Sequence, residues 1–137
     1  MKVLFVCKGN AERSMAAEAL FNKLSKRNKA SSAGYDVIGE KGEGKGPSEI
    51  TSKLFEERGH DVSAHKRRHL TERMVRDADI VVLVASGDES RILPKWLIES
   101  GKTRVWTVHG NEHTREHHAA RLETIGGLVK DLVNEIG

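Results

Sequence analysis

Between Asp79 and Ala85 the chain sets Ile80-Val81-Val82-Leu83-Val84 in succession, with no polar residue at alternate positions to face water. A run of this kind suits a strand covered on both faces, as in a parallel sheet between layers of helix. Lys2-Val3-Leu4-Phe5-Val6 carries the same signal. Ala30 to Ala33, ended by Gly34, and Arg104 to Val108 carry weaker versions. About four strands are predicted.

Between these runs the apolar spacing changes to the helical period. Ala17, Leu20, Phe21 and Leu24 share one face, as do Ile50, Leu54 and Phe55, with Gly59 placed to stop the second helix. Thr71 to Ala78 suits a short helix, and Pro94 confines any helix within Ser90 to Ile98 to a start near that residue. The strongest pattern is the last, with Leu122, Ile125, Leu128, Val129, Leu132, Val133 and Ile136 at three- and four-residue intervals. Alternating strands and helices imply right-handed crossovers, and so an α/β three-layer sandwich with a parallel sheet and helices on both faces. The 137 residues fit one domain, 1–137. Gly39 to Gly46, rich in Gly and charge, reads as a long flexible loop.

Composition narrows the partners. Lys and Arg number 23 against 20 Asp and Glu, which mildly favours anionic ligands without the clustered excess of a nucleic-acid binder. No apolar run reaches the roughly 20 residues that cross a bilayer. Neither nucleic acid nor a membrane is an expected partner, and a cytoplasmic location is expected. The single cysteine, Cys7, excludes an internal disulfide and leaves a lone thiol.

That thiol opens the segment with the clearest chemistry, Cys7-Lys8-Gly9-Asn10-Ala11-Glu12-Arg13-Ser14, between the first strand and the first helix. A turn in this place aims successive backbone N–H groups and the positive end of a helix into one concavity. Gly9 and Asn10 are residue types that tolerate the left-handed backbone such a nest needs. The same field favours a thiolate at Cys7, Arg13 can return across the loop with two parallel donors, and Ser14 can donate to the sulfur. The spacing alone also fits a small buried thiol and a solvated arginine. The preceding strand, the Gly-Asn pair and the Ser before an amphipathic helix favour the anion site.

The segment Val6 to Ser14 resembles the signature loop, C-x-G-N-x-x-R-S, of the low-molecular-weight protein tyrosine phosphatases and the related arsenate reductases. Ser32-Ala33-Gly34, Gly59 to Arg67 and Ala78 to Val82 resemble further stretches of that family, so the likeness covers nearly the whole chain. It implies a four-stranded parallel sheet in the order 2-1-3-4 and hydrolysis of a phosphomonoester through a phosphocysteine, with no metal or other cofactor. Its substrates would be phosphorylated protein or a small phosphoester, and its product inorganic phosphate. Cys7 would be the nucleophile, Arg13 and the amides from Lys8, Gly9, Asn10, Ala11 and Glu12 to Arg13 would hold the phosphate, and Ser14 would support the thiolate. Ser63 and His65 are expected to brace the loop.

The pattern departs from the family in several places. The family's general acid is an Asp just after the fourth strand, where this chain reads His109-Gly110-Asn111-Glu112. By register His109 takes that place, Glu112 is the second candidate, and Asp88 is a more distant one. Glu12 replaces an uncharged residue and is expected to point outward. Ala11 is small and implies a roomy entrance. No aromatic residue lies in Gly39 to Gly46 or just after His109 to favour phosphotyrosine over other phosphoesters or a phosphoamidate such as phosphoarginine.

Three other readings remain. The same loop would bind arsenate, and with one cysteine only a reductase using an external thiol survives. A protein that had lost its acid would bind an oxyanion without turnover. His109, His113 and His117 recur every fourth residue near Glu116 and His118, so an early helix start would set His113 and His117 as metal ligands. Solvated histidines at a polar helix start are the preferred explanation. Lys66-Arg67-Arg68 is expected to be a solvated edge that attracts acidic substrates.

Overall fold

The computed structural model describes residues 1–87 and 93–137. Asp88 and the start of the Ser90 to Ile98 segment lie outside the described residues. Strands β1 (Lys2–Cys7), β2 (Lys29–Gly34), β3 (Ile80–Ala85) and β4 (Thr103–Thr107) form one sheet in the order β2-β1-β3-β4. All three pairings are parallel, and the register places Cys7 opposite Gly34 and Val6 opposite Leu83.

The helices are α1 (Arg13–Leu24), α2 (Glu49–Glu57), α3 (Glu72–Asp77), α4 (Lys95–Ile98) and α5 (Arg115–Ile136). Side-chain caps fix three of their starts: Ser48 Oγ accepts from Thr51 N–H, Thr71 from Met74 N–H and Thr114 from His117 N–H. Alternation along the buried strands then divides the core. Val3 and Phe5 of β1, with Ile80, Val82 and Val84 of β3, pack on Ala17 and Phe21 of α1 and on Ile125, Val129 and Leu132 of α5. Leu4, Val6, Val81 and Leu83 point the other way, toward Val75 of α3 and Leu97 of α4. Helix α2 adds Leu54 and Phe55 to a third cluster with Met15, Ala16 and Leu122. This is the predicted three-layer α/β sandwich.

Two expectations are corrected. Leu24 is 48% exposed at the last turn of α1, so only the earlier members of its apolar face are covered. The Gly39 to Gly46 segment is a tied structure, with a single 3-10 turn at Gly39–Lys41. Gly44 N–H donates to Arg67 O at 2.9 Å, and Arg67 donates through its N–H to Lys45 O and through Nε to Gly46 O. As an edge strand β4 has one neighbour, which leaves Val105 exposed, although Trp106 still reaches Phe5 with ring centroids 5.6 Å apart.

The chain leaves β1 through α1 to reach β2 on one side, and β3 lies on the other. The connections diverge at the carboxyl end of β1, which is where such sheets open a crevice. Phe21, fully buried and edge-on to Phe5 at 5.9 Å, locks α1 onto the face of the sheet. Phe21→Ala should cost about 3–5 kcal/mol of stability through the cavity it leaves, read as a lowered midpoint in denaturant unfolding.

Candidate active site

The turn after β1 is built around Asn10, the one non-glycine residue with positive φ among the described residues, at 52°. Its side chain is fully buried, and both of its polar atoms are engaged in holding that conformation. Nδ2 donates to Ser14 Oγ and to Ser32 Oγ, each at 2.9 Å, and Oδ1 accepts from Arg68 N–H at 3.0 Å. His65 Nε2 lies 2.8 Å from the Asn10 carbonyl oxygen. Ser32 Oγ donates to Glu18 Oε1 at 2.8 Å, and the Arg68 guanidinium donates to Ser32 O. The strand below must also stay bare: a Cβ on Gly34 would stand 2.7 Å from Lys8 O.

This frame turns donors toward the sulfur. Asn10 N–H and Ser14 N–H point at Cys7 Sγ from 3.3 and 3.4 Å, and Ser14 Oγ is 2.9 Å away. Ser14 Oγ already accepts from Asn10, so its own proton is free to go to sulfur. The donor set suits a buried thiolate. No side chain caps the start of α1, so the positive end of the helix faces the same spot. Arg13 is buried with the sulfur's surroundings; NH1 donates to Val108 O at 3.1 Å, and a Cβ on Gly110 would meet Nε at 2.6 Å. The residues just after β4 therefore clamp the guanidinium over the loop.

A cleft of about 240 Å³ opens here. Its lining comprises Cys7, Lys8, Gly9, Ala11, Glu12 and Arg13 from the loop, together with Asp36, Gly110 and His113. A larger cleft of about 600 Å³ lies between α1 and residues 59–65, away from Cys7 and Arg13.

Glu12 does not point outward. It is buried, with Oε2 and Oε1 accepting from Arg121 Nε at 2.6 Å and NH2 at 2.9 Å, because a carboxylate beside an anion nest needs a cation to face. Arg121 also donates to Glu112 O at 2.6 Å, which ties the segment before α5 to the loop. Buried His118 stands beside them, its Nδ1 2.7 Å from Thr51 Oγ1 and 3.6 Å from Glu12 Oε2, and its Nε2 3.0 Å from His113 Nδ1. Burial, with Arg121 and the neighbouring histidines, pushes the His118 pKa below the ordinary imidazole value, against the pull of Glu12.

The remaining expectations divide. His65 touches the loop, but Ser63 does not: its N–H, like its hydroxyl, goes to Asp61 in a local turn. Lys66 and Arg68 are exposed, as a solvated edge requires, although Arg68 also donates to Ser32 O; Arg67 is half-buried and tied to Gly46 O, which corrects its reading alone. His109 and Glu112 are exposed, as His113 is, but they lie outside the cleft lining, in which Gly110 and His113 stand instead. Helix α5 begins at Arg115, so His113 precedes it, and His117 Nδ1 turns to Thr114 Oγ1; the i, i+4 pair does not form. Donor atoms of Glu12, His113 and His118 lie within 4.8 Å of one another. Asp36 escaped notice because only the sheet register brings the segment after β2 to the cleft. Lys41 Nζ bonds its carboxylate at 2.6 Å and holds its pKa below the ordinary range.

Comparison with known proteins accords with this geometry. A family model described as low molecular weight phosphotyrosine protein phosphatase matches residues 2–123. The Bacillus subtilis protein-arginine-phosphatase is 29% identical over 133 residues, which is 94% of this chain and 83% of that protein. Among solved structures, Vibrio vulnificus Wzb in complex with benzylphosphonate superposes with a TM-score of 0.88 at 21% identity, covering 98% of each chain. The arsenate reductase of Archaeoglobus fulgidus superposes with a TM-score of 0.77 at 33% identity, covering 96% of this chain and 98% of that one.

Two measurements test the frame. Asn10→Ala strands several buried donors and acceptors at a strained backbone position, and should cost about 3 kcal/mol in chemical denaturation. For His118 the folded state binds a proton less readily than the unfolded chain, so its contribution is intact above about pH 6.5 and is lost as pH falls below it. The stability of the wild type should therefore fall from pH 7.5 to 5.5 more steeply than that of His118→Gln.

Proposed function

This chain belongs to the low molecular weight phosphotyrosine protein phosphatase family and is a hydrolase of that type, and from that premise we propose that it cleaves phosphomonoesters through a phosphocysteine at Cys7. The convergence of Asn10 N–H, Ser14 N–H and Ser14 Oγ on the Cys7 sulfur is the observation that carries this reading. The thiolate attacks phosphorus in line, an S–P bond forms, and the P–O bond to the leaving group breaks while that oxygen takes a proton. Water then attacks phosphorus, the S–P bond breaks, and inorganic phosphate leaves the restored thiolate. The loop amides from Lys8 to Arg13 and the Arg13 guanidinium hold the equatorial oxygens as charge develops. Ser14 donates to the sulfur when it departs.

The substrate class is a phosphorylated protein or a small phosphoester. Ala11 at the rim and the polar lining by Lys8, Asp36 and His113 support a site without an aromatic slot. Likeness to the Archaeoglobus arsenate reductase supports a second reading, in which the same thiolate attacks arsenate and an external thiol completes the reduction.

Steady-state hydrolysis of p-nitrophenyl phosphate distinguishes them. Cys7→Ser and Arg13→Ala should each lose at least about 1,000-fold in kcat/KM, and Ser14→Ala about 10- to 100-fold. Full activity in Cys7→Ser refutes the phosphatase reading. Arsenate-dependent consumption of a small thiol or thioredoxin, absent in Cys7→Ser and unaccompanied by phosphoester turnover, selects the reductase.

A further inference from the structure

Cleavage of an ester with a poor leaving group needs a proton at the departing oxygen, and among the described residues two titratable groups stand in the cleft outside the loop: Asp36 and His113. Asp36 is bonded to Lys41 and held ionised, so at neutral pH it has no proton to give. His113 is an imidazole, the side chain that most often carries a proton to or from a reacting group. Its Nδ1 is engaged by His118 Nε2 at 3.0 Å, which leaves Nε2 as the ring position for a substrate.

The groups behind His113 fix which of its ring nitrogens is engaged. Nδ1 of buried His118 faces two oxygens, Thr51 Oγ1 at 2.7 Å and Glu12 Oε2 at 3.6 Å, which together favour the tautomer with its hydrogen on Nδ1. Nε2 of that tautomer is a lone-pair acceptor, aimed at His113. Burial, Arg121 and His117 all oppose a charge on His118, so it stays an acceptor when His113 gains a proton. Around the pair stand the cations Lys8, Arg13 and Arg121 and the anions Glu12 and Asp36, with Glu12 and Arg121 neutralising one another. The arrangement does not read as a chelate, because Glu12 and His113 approach opposite edges of the His118 ring.

Resting on the phosphatase reading above, we propose that His113 is the catalytic proton donor to the leaving oxygen, and that His118 is a positioning residue that holds it by accepting from Nδ1. The donor enters from the segment just before α5, later in the chain than His109. In the ester-cleaving step the His113 Nε2–H proton passes to the departing alkoxide or phenoxide. In the hydrolysis step the neutral ring takes a proton from the attacking water, which restores the imidazolium.

Phenyl phosphate, which needs the proton, and p-nitrophenyl phosphate, which needs it little, separate this role from simple structural damage. With the full chain, His113→Gln should lower kcat for phenyl phosphate by about 100-fold or more and for p-nitrophenyl phosphate by less than about 10-fold, with loss of the basic limb of the pH–rate profile. His118→Phe should move that limb to lower pH, and His118→Gln, which keeps an acceptor, should restore part of the shift. Equal losses on the two esters, a basic limb retained in His113→Gln, or its loss confined to His109→Ala or Glu112→Ala overturns the inference. Absence of Cys7-dependent turnover of either ester in the wild type removes the phosphatase reading and this inference with it; parity in an active enzyme removes only the inference.

Discussion

The active end of the molecule depends on one residue being held where residues of its kind seldom rest. Asn10 sits at a φ of 52° with every polar atom of its amide engaged. A left-handed residue there lets neighbouring N–H groups point inward together, which a regular turn would scatter. The three side-chain bonds reach the start of α1, the end of β2 and the strap at Arg68, so three separate stretches of chain share the task of keeping the loop concave. The sulfur's donors are a consequence of that frame.

The second constraint is electrical. A nest of N–H groups, a helix start and Arg13 concentrate positive potential, and the chain sets Glu12 within it. Left unpaired, that carboxylate would compete with any anion for the loop. Arg121 instead takes it in a two-pronged bond, and the same guanidinium reaches Glu112 O. A buried pair of this sort adds little net stability over apolar packing, but removing one partner costs about 3–5 kcal/mol because the other is left charged in a dry place. The pair thus fixes geometry more than it strengthens the fold. It also sets the surroundings of His118, which stays neutral amid burial and cations while Glu12 pulls the other way.

How much of this the sequence revealed follows the range of the forces involved. The strands at Lys2–Cys7 and Ile80–Ala85 were legible because burial on both faces leaves an unbroken apolar run, and α5 because its period is uninterrupted over several turns. The Cys7 to Ser14 loop was legible because its residue types answer to local backbone geometry. Glu12 was misread because its partner lies 109 positions away, and charge at a helix start ordinarily faces water. Ser63 was misread for the opposite reason: a local turn with Asp61 claimed a hydroxyl that was assigned to a distant loop. Asp36 carries no pattern at all, and only the pairing of β2 beside β1 brings it to the cleft.

Arg121 comes from the final helix, while the loop it steadies forms from the opening residues. During synthesis the first strand and its turn leave the ribosome long before the guanidinium that balances Glu12 has been made. The nascent amino-terminal half therefore carries Cys7 and its turn beside a Glu12 that still lacks its partner. Glu12 meets its counter-ion only when the carboxy-terminal helix docks, which couples the charge balance of the loop to completion of the fold.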